Sequence, residues 1–315
     1  MVKKTDIFKI NLIFIISISK NMADKNLEKL LLAIENNDLK KIRELIAADL
    51  EVVERRTVRG ERPLELAIES ENTTIIKELI EAGAHPDYGG WTTPLDAAVR
   101  TGNIYIVNLL LEVGANPNLI VAGNLPLTTA ASYGYLDIVK LLVKSDANVN
   151  LFDNNTGTTL GMAILNGNYN VFNYLAPLTS TELRIWAETY TLFTSVWDEN
   201  VKAINFLAQS GVDINQVFED DYTPLIYAVR KSQISSVQVL LKWKADVNSR
   251  NKKGKTALMY AVEDNKNLEK VLLLIEAGAK INTKDNDGNT ALSLAIEAGN
   301  SEIIKLLIEA GAKQY

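Results

Sequence analysis

Asp285-Asn286-Asp287-Gly288-Asn289-Thr290-Ala291-Leu292-Ser293-Leu294-Ala295 is the stretch whose reading decides the fold. Its first four residues read as a tight turn, because Gly tolerates the positive φ such turns need. Thr290 reads as a helix cap whose hydroxyl accepts an orphan backbone N–H. Leu292 and Ala295 then face a neighbouring unit, and Gly299 ends the short helix. A second helix follows, with the apolar period of Ile303, Ile304, Leu306 and Leu307, and Gly311-Ala312 stops it.

The same phrase recurs outward from there. Thr93-Pro94-Leu95-Asp96-Ala97-Ala98, Thr223-Pro224-Leu225-Ile226-Tyr227-Ala228 and Thr256-Ala257-Leu258-Met259-Tyr260-Ala261 are its clearest copies. The matching alanines return about every 33 residues, the period of one helix-turn-helix unit with a finger-like turn. Pro63, Pro94, Pro126 and Pro224 stand where a missing N–H costs nothing, at the first helical position. Second helices repeat the apolar period at Ile104, Val107, Leu109 and Leu110, and again at Ile138, Val139, Leu141 and Leu142. Asn118, Asn150, Asn215, Asn248 and Asn282 lead into the next finger, where a turn hydrogen bond is expected of them.

These motifs resemble the ankyrin repeat. The Thr-Pro-Leu-x-x-Ala phrase, the Leu-Leu pair and the Gly-Ala-x-x-Asn tail carry the resemblance, which covers Leu27 to Lys313 in about nine copies. It implies an all-α ankyrin-repeat solenoid of stacked helix-turn-helix units with β-turn fingers, occupying residues 23–315. It also implies a non-enzymatic scaffold that binds another protein through its concave groove and finger tips. The first copy, Leu27 to Asp49, lacks Thr-Pro, and its Lys40, Lys41, Arg43 and Glu44 suit a solvent-facing cap.

Three departures stand out. The unit from Thr181 to Val212 is degenerate; its leading segment, Thr179 to Thr189, has no finger and is expected to add a helical turn. A one-residue expansion begins at Asp264 or Lys266. The family's usual first-helix His is replaced by Glu65, Asp96, Thr128, Gly161, Phe193, Ile226, Met259 or Ser293, which should alter hydrogen bonding between neighbours without changing the fold.

Residues 1–22 lie outside the pattern. Lys3 and Lys4 precede an Ile-rich run from Ile10 to Ile18, too short to span a bilayer, which takes about 20 apolar residues. The run is sized for a secretory signal, with Ser17 and Ser19 as a weak cleavage pattern, although Asp6, Lys9 and Asn11 fit it poorly. Alternatively it precedes a natural start at Met22-Ala23-Asp24, or packs Ile13, Phe14 and Ile16 on the first repeat. Export, or membrane contact through an anchor, follows if it is a signal; otherwise the cytoplasm is expected.

Composition narrows the chemistry. The hydrophobic share of 47% and charged share of 23% suit a folded chain. A net charge of -6 argues against nucleic acid, whose binders need a basic stripe. With no cysteine, thiolate nucleophiles and Cys-type zinc sites are excluded. The single histidine, His85, cannot build a multi-His metal site and reads as an exposed loop residue. Glu219, Asp220 and Asp221 read as a solvated acidic tip without the spacing of a calcium loop. No cofactor and no metal are expected, and nothing obliges dimerisation, so a monomer is expected.

Partner-binding candidates come from finger and exposed first-helix offsets. Tyr88, Trp91, Tyr133, Phe152, Trp197 and Tyr222 are aromatics at such places, a residue class enriched at binding hot spots, and are read as an apolar stripe along the groove. The alternative is that several plug gaps between imperfect units, Trp197 above all. Arg100 and Arg230 are read as partners for acidic groups, or as plain surface charges. Two rival readings remain: a structural spacer, and an enzyme in the irregular segment holding Glu182, Arg184, Glu188, Asp198 and Glu199.

Overall fold

The computed structural model describes residues 25–153, 157–218, 221–231, 233–263 and 268–313. The leader at 1–22, the expansion at Asp264 or Lys266, and Glu219 and Asp220 lie outside the described residues.

The chain divides into two compact units between Ser180 and Thr181. The first holds α1 (Lys25–Glu35) and α2 (Leu39–Ala48), α3 (Pro63–Glu69) and α4 (Thr73–Glu81), and α5 (Pro94–Thr101) and α6 (Ile104–Glu112). It continues through α7 (Pro126–Tyr133) and α8 (Leu136–Lys144) to α9 (Thr159–Leu165) and α10 (Tyr169–Leu175). One finger carries a small antiparallel hairpin, β1 (Phe152–Asp153) with β2 (Gly157–Thr158). The second unit holds α11 (Thr181–Trp197) and α12 (Val201–Gln209), and α13 (Pro224–Arg230) and α14 (Ile234–Lys242). It closes with α15 (Ala257–Glu263) and α16 (Leu268–Glu276), then α17 (Ala291–Ala298) and α18 (Ser301–Glu309).

Local chemistry sets these boundaries. The hydroxyls of Thr93, Thr158, Thr223 and Thr290 accept from the backbone N–H three residues on, which caps α5, α9, α13 and α17. Gly102 (φ 77°) and Gly299 (φ 73°) end α5 and α17 in the left-handed region, where any side chain would be strained. Within each unit, first helices pack on first helices and second on second: α3 on α5 and α5 on α7, then α11 on α13 and α13 on α15. The core is the double layer between them. Ala98, Ala228, Ala261 and Ala295 have no exposure at all, because a larger residue would hold adjacent first helices apart.

The asparagines do more than expected. Their side-chain oxygens accept backbone N–H groups from the next repeat's tail rather than from their own turn. Asn118 takes Asn148 at 2.7 Å, Asn150 takes Ser180 at 2.8 Å, Asn215 takes Asp246 at 2.7 Å and Asn248 takes Lys280 at 2.7 Å. Asn282 takes Lys313 at 2.9 Å, and its amide returns a bond to the Gly311 carbonyl. Each rung satisfies one tail with the next, so register passes from repeat to repeat.

One core offset admits polar residues, Ser236 on α14 and Lys270 on α16. Lys270 on α16 is fully buried where α4, α6 and α18 carry Ile75, Ile106 and Ile303. Its ammonium donates to the carbonyl of Val229 at 3.2 Å, near the end of α13, so the charged head is hydrogen-bonded where it is dry.

Candidate functional site

The degenerate unit builds the site. Its first helix, α11, runs 17 residues, against seven or eight for α3, α5, α7 and α9. The expected extra turn is therefore present, and longer than expected. Tyr190, Phe193, Thr194 and Trp197 recur at three- and four-residue spacing and share one face of it. Phe218, from the finger that follows, closes one side. Tyr222, just before α13, and Tyr227 and Arg230 on α13 form the opposite wall. Together these residues line an open cavity of about 440 Å³.

Its walls are ring on ring. Phe193 lies 4.9 Å from Phe218 and 6.0 Å, edge-on, from Tyr227. Trp197 lies 5.8 Å from Tyr227 and stays 51% exposed. Two cations sit over the rings. The Arg230 guanidinium is 5.3 Å from the centre of Tyr222, and the Lys231 ammonium is 4.3 Å from that of Trp197.

Behind the wall, the Tyr222 and Tyr260 hydroxyls share a hydrogen bond of 2.8 Å, and Asn251 donates to Tyr260 at 2.9 Å. Burial first, then the bond with Tyr222, pushes the Tyr260 phenol up to about 12. Burial also raises the Tyr227 phenol, against the opposing effect of Arg230. Both phenols are therefore neutral hydroxyls at physiological pH.

The structure brings together Trp197, Tyr222 and Arg230 of the expected residues, with Tyr222 half-buried. The candidates of the first unit are held separately. Trp91 is 72% exposed, and its indole N–H donates to the Arg59 carbonyl at 2.9 Å. Tyr88 stacks on His85 at 4.0 Å, beneath the Arg62 guanidinium, and Tyr133 stacks on Tyr135 at 5.6 Å. Phe152 stands on β1, 39% exposed. Arg100 is not an open cation: it donates to Asp96 and to Asn124, each at 2.8 Å. Sequence reasoning did not select Tyr190, Phe193, Thr194, Phe218 or Tyr227.

The irregular segment does not gather its carboxylates. Glu182, Asp198 and Glu199 are exposed, Glu188 faces Arg184 at 3.9 Å along the helix, and none of the four lines the cavity. Burial raises the Glu188 carboxyl, and Arg184 opposes that rise. Among the described residues no group of His, Asp and Glu is placed to hold a metal ion. Among them, too, no helix is long and apolar enough to cross a membrane.

Comparison with known families agrees with the geometry. A family model described as ankyrin repeats (3 copies) matches residues 30–121, 184–251 and 244–315, and one described as ankyrin repeats (many copies) matches residues 127–176. A search of curated proteins finds no match.

Proposed function

We infer function from one premise: the chain belongs to the ankyrin-repeat family. Ankyrin repeats are generally protein-interaction modules. On that basis the protein is a non-enzymatic binding module that holds another protein on the groove between α11 and α13. The observation that carries this reading is the half-exposed Trp197 over a cavity walled by Tyr190, Phe193, Phe218, Tyr222 and Tyr227. Leaving so much ring surface in water is unfavourable by about 25 cal/mol per Å², and covering it with a partner recovers that free energy. Aromatic anchors in such pockets dominate binding energy elsewhere.

Affinity capture from the native source tests it. Trp197→Ala combined with Phe218→Ala should lose a defined partner that Trp91→Ala retains, both variants keeping wild-type helix content by circular dichroism. Recovery of an unchanged set of proteins by the double variant would sink the assignment to this groove.

A further inference from the structure

We propose that the groove between α11 and α13 receives an extended protein segment in which a large apolar side chain, aromatic or aliphatic, is flanked by carboxylates. This rests on the binding role proposed above and names the chemistry of the partner.

Three features point to that ligand. The first is size. About 440 Å³ is at the lower end of small-ligand pockets, room for one large side chain and its adjoining backbone rather than for a folded surface. The second is the wall. Phe193, Phe218 and Tyr227 offer ring faces and edges to an apolar group, while Thr194 has already committed its hydroxyl hydrogen to the Tyr190 carbonyl at 3.0 Å. Thr194 therefore offers a ligand no donor, and the Phe193 and Phe218 rings favour apolar contact.

The third feature is charge. Arg230 and Lys231 are both exposed at the rim and are fixed over Tyr222 and Trp197 by cation–π contact. Among the described residues neither is in an ion pair, in contrast to Arg100, which Asp96 holds. No described residue lining the cavity carries a carboxylate. Two cations held in place beside an apolar pocket match an anion on either side of an apolar anchor, and they repel a basic segment. Desolvation as the segment docks would strengthen both attractions.

Fluorescence anisotropy with labelled synthetic peptides tests this on the full chain. The probes are a short peptide with a central Phe flanked by Glu, the same peptide with Lys in place of Glu, and the Glu peptide with Ala in place of Phe. The Glu–Phe peptide should bind, and each altered peptide should be at least about 10-fold weaker, a loss of roughly 1.4 kcal/mol. Arg230→Gln with Lys231→Gln should weaken the Glu–Phe peptide by about the same factor and flatten its dependence on salt. Trp197→Ala should weaken it further.

Equal binding of the Lys peptide, or unchanged binding by the double Gln variant, overturns the charge assignment. Equal binding of the Ala peptide overturns the apolar anchor and leaves a merely acidic ligand. If no peptide binds while the groove variants still lose their captured protein, this ligand class is wrong and the binding role stands. If the Glu–Phe peptide binds and Trp197→Ala leaves its affinity unchanged, the site itself is wrong.

Discussion

Asp96 and Arg100 on α5 occupy the same two repeat offsets as Phe193 and Trp197 on α11. In the first unit the pair is ionic and closed. Asp96 has no exposure; its carboxylate accepts from Arg100 at 2.8 Å, from Thr92 at 2.6 Å and from Thr129 on α7. In the second unit the pair is aromatic and open, with both rings packed on Tyr227 and a cavity in front of them. Glu65, at the same offset on α3, repeats the polar solution by accepting from the backbone of Gly90 at 2.8 Å and Arg62 at 2.9 Å. Ile226 and Met259 repeat the apolar one, each 1% exposed. Hydrogen bonds across that offset tie a finger to its neighbour. A phenyl ring such as that of Phe193 makes none, and what stands beside it is an open cavity.

The strongest way to break the comparison is Asp96→Ala. It leaves the hydroxyls of Thr92 and Thr129 without their acceptor, at about 1–3 kcal/mol each, while Arg100 is exposed enough to turn to water and adds little, so the loss is about 4 kcal/mol. Urea denaturation should show that loss. Hydrogen exchange should quicken in α5 and α7 while α13 to α18 keep their protection, because repeat stability is a sum of neighbour terms. Protection that falls equally in both units would mean that the knot is not local. Phe193→Ala should cost less, about 3 kcal/mol, through lost ring contacts beside a cavity that is already open. Its loss should fall in α11 and α13. A larger cost than Asp96→Ala would reverse the ranking of the two solutions.

How far these regions can be read without coordinates differs for a physical reason. Thr-Pro-Leu phrases, Gly-Ala stops and apolar periods are local, so helices and caps were legible residue by residue. The Asp96 to Thr129 bond spans one repeat and becomes visible only when the repeat frames are stacked. Trp197, Tyr222 and Arg230 were legible as exposed offsets. Tyr190, Phe193 and Thr194 carried a signal too, their helical spacing with Trp197, but judging the segment by its lost finger hid its helical face. Phe218 carried none, since only the path of its finger brings it against Phe193. Lys270 was equally silent: nothing around it in sequence says that an isoleucine position holds an ammonium reaching the Val229 carbonyl.

The smallest expected effect runs in the opposite direction and sharpens the contrast on α11 itself. Ser195 lies at the offset held by Ala98 on α5 and Ala228 on α13, with no exposure, and its hydroxyl finds no partner among the described residues. A buried hydroxyl without a bond is a net cost, so Ser195→Ala should stabilise the chain by about 1 kcal/mol. The urea midpoint should rise with an unchanged slope, since the area exposed on unfolding is the same. Peptide binding in the groove should not move, because Ser195 points into the helix layer and lines none of the cavity. If the variant is instead less stable, the hydroxyl bonds the preceding turn of α11. The long helix would then owe its persistence through the missing finger to side-chain polarity as well as to its aromatic face.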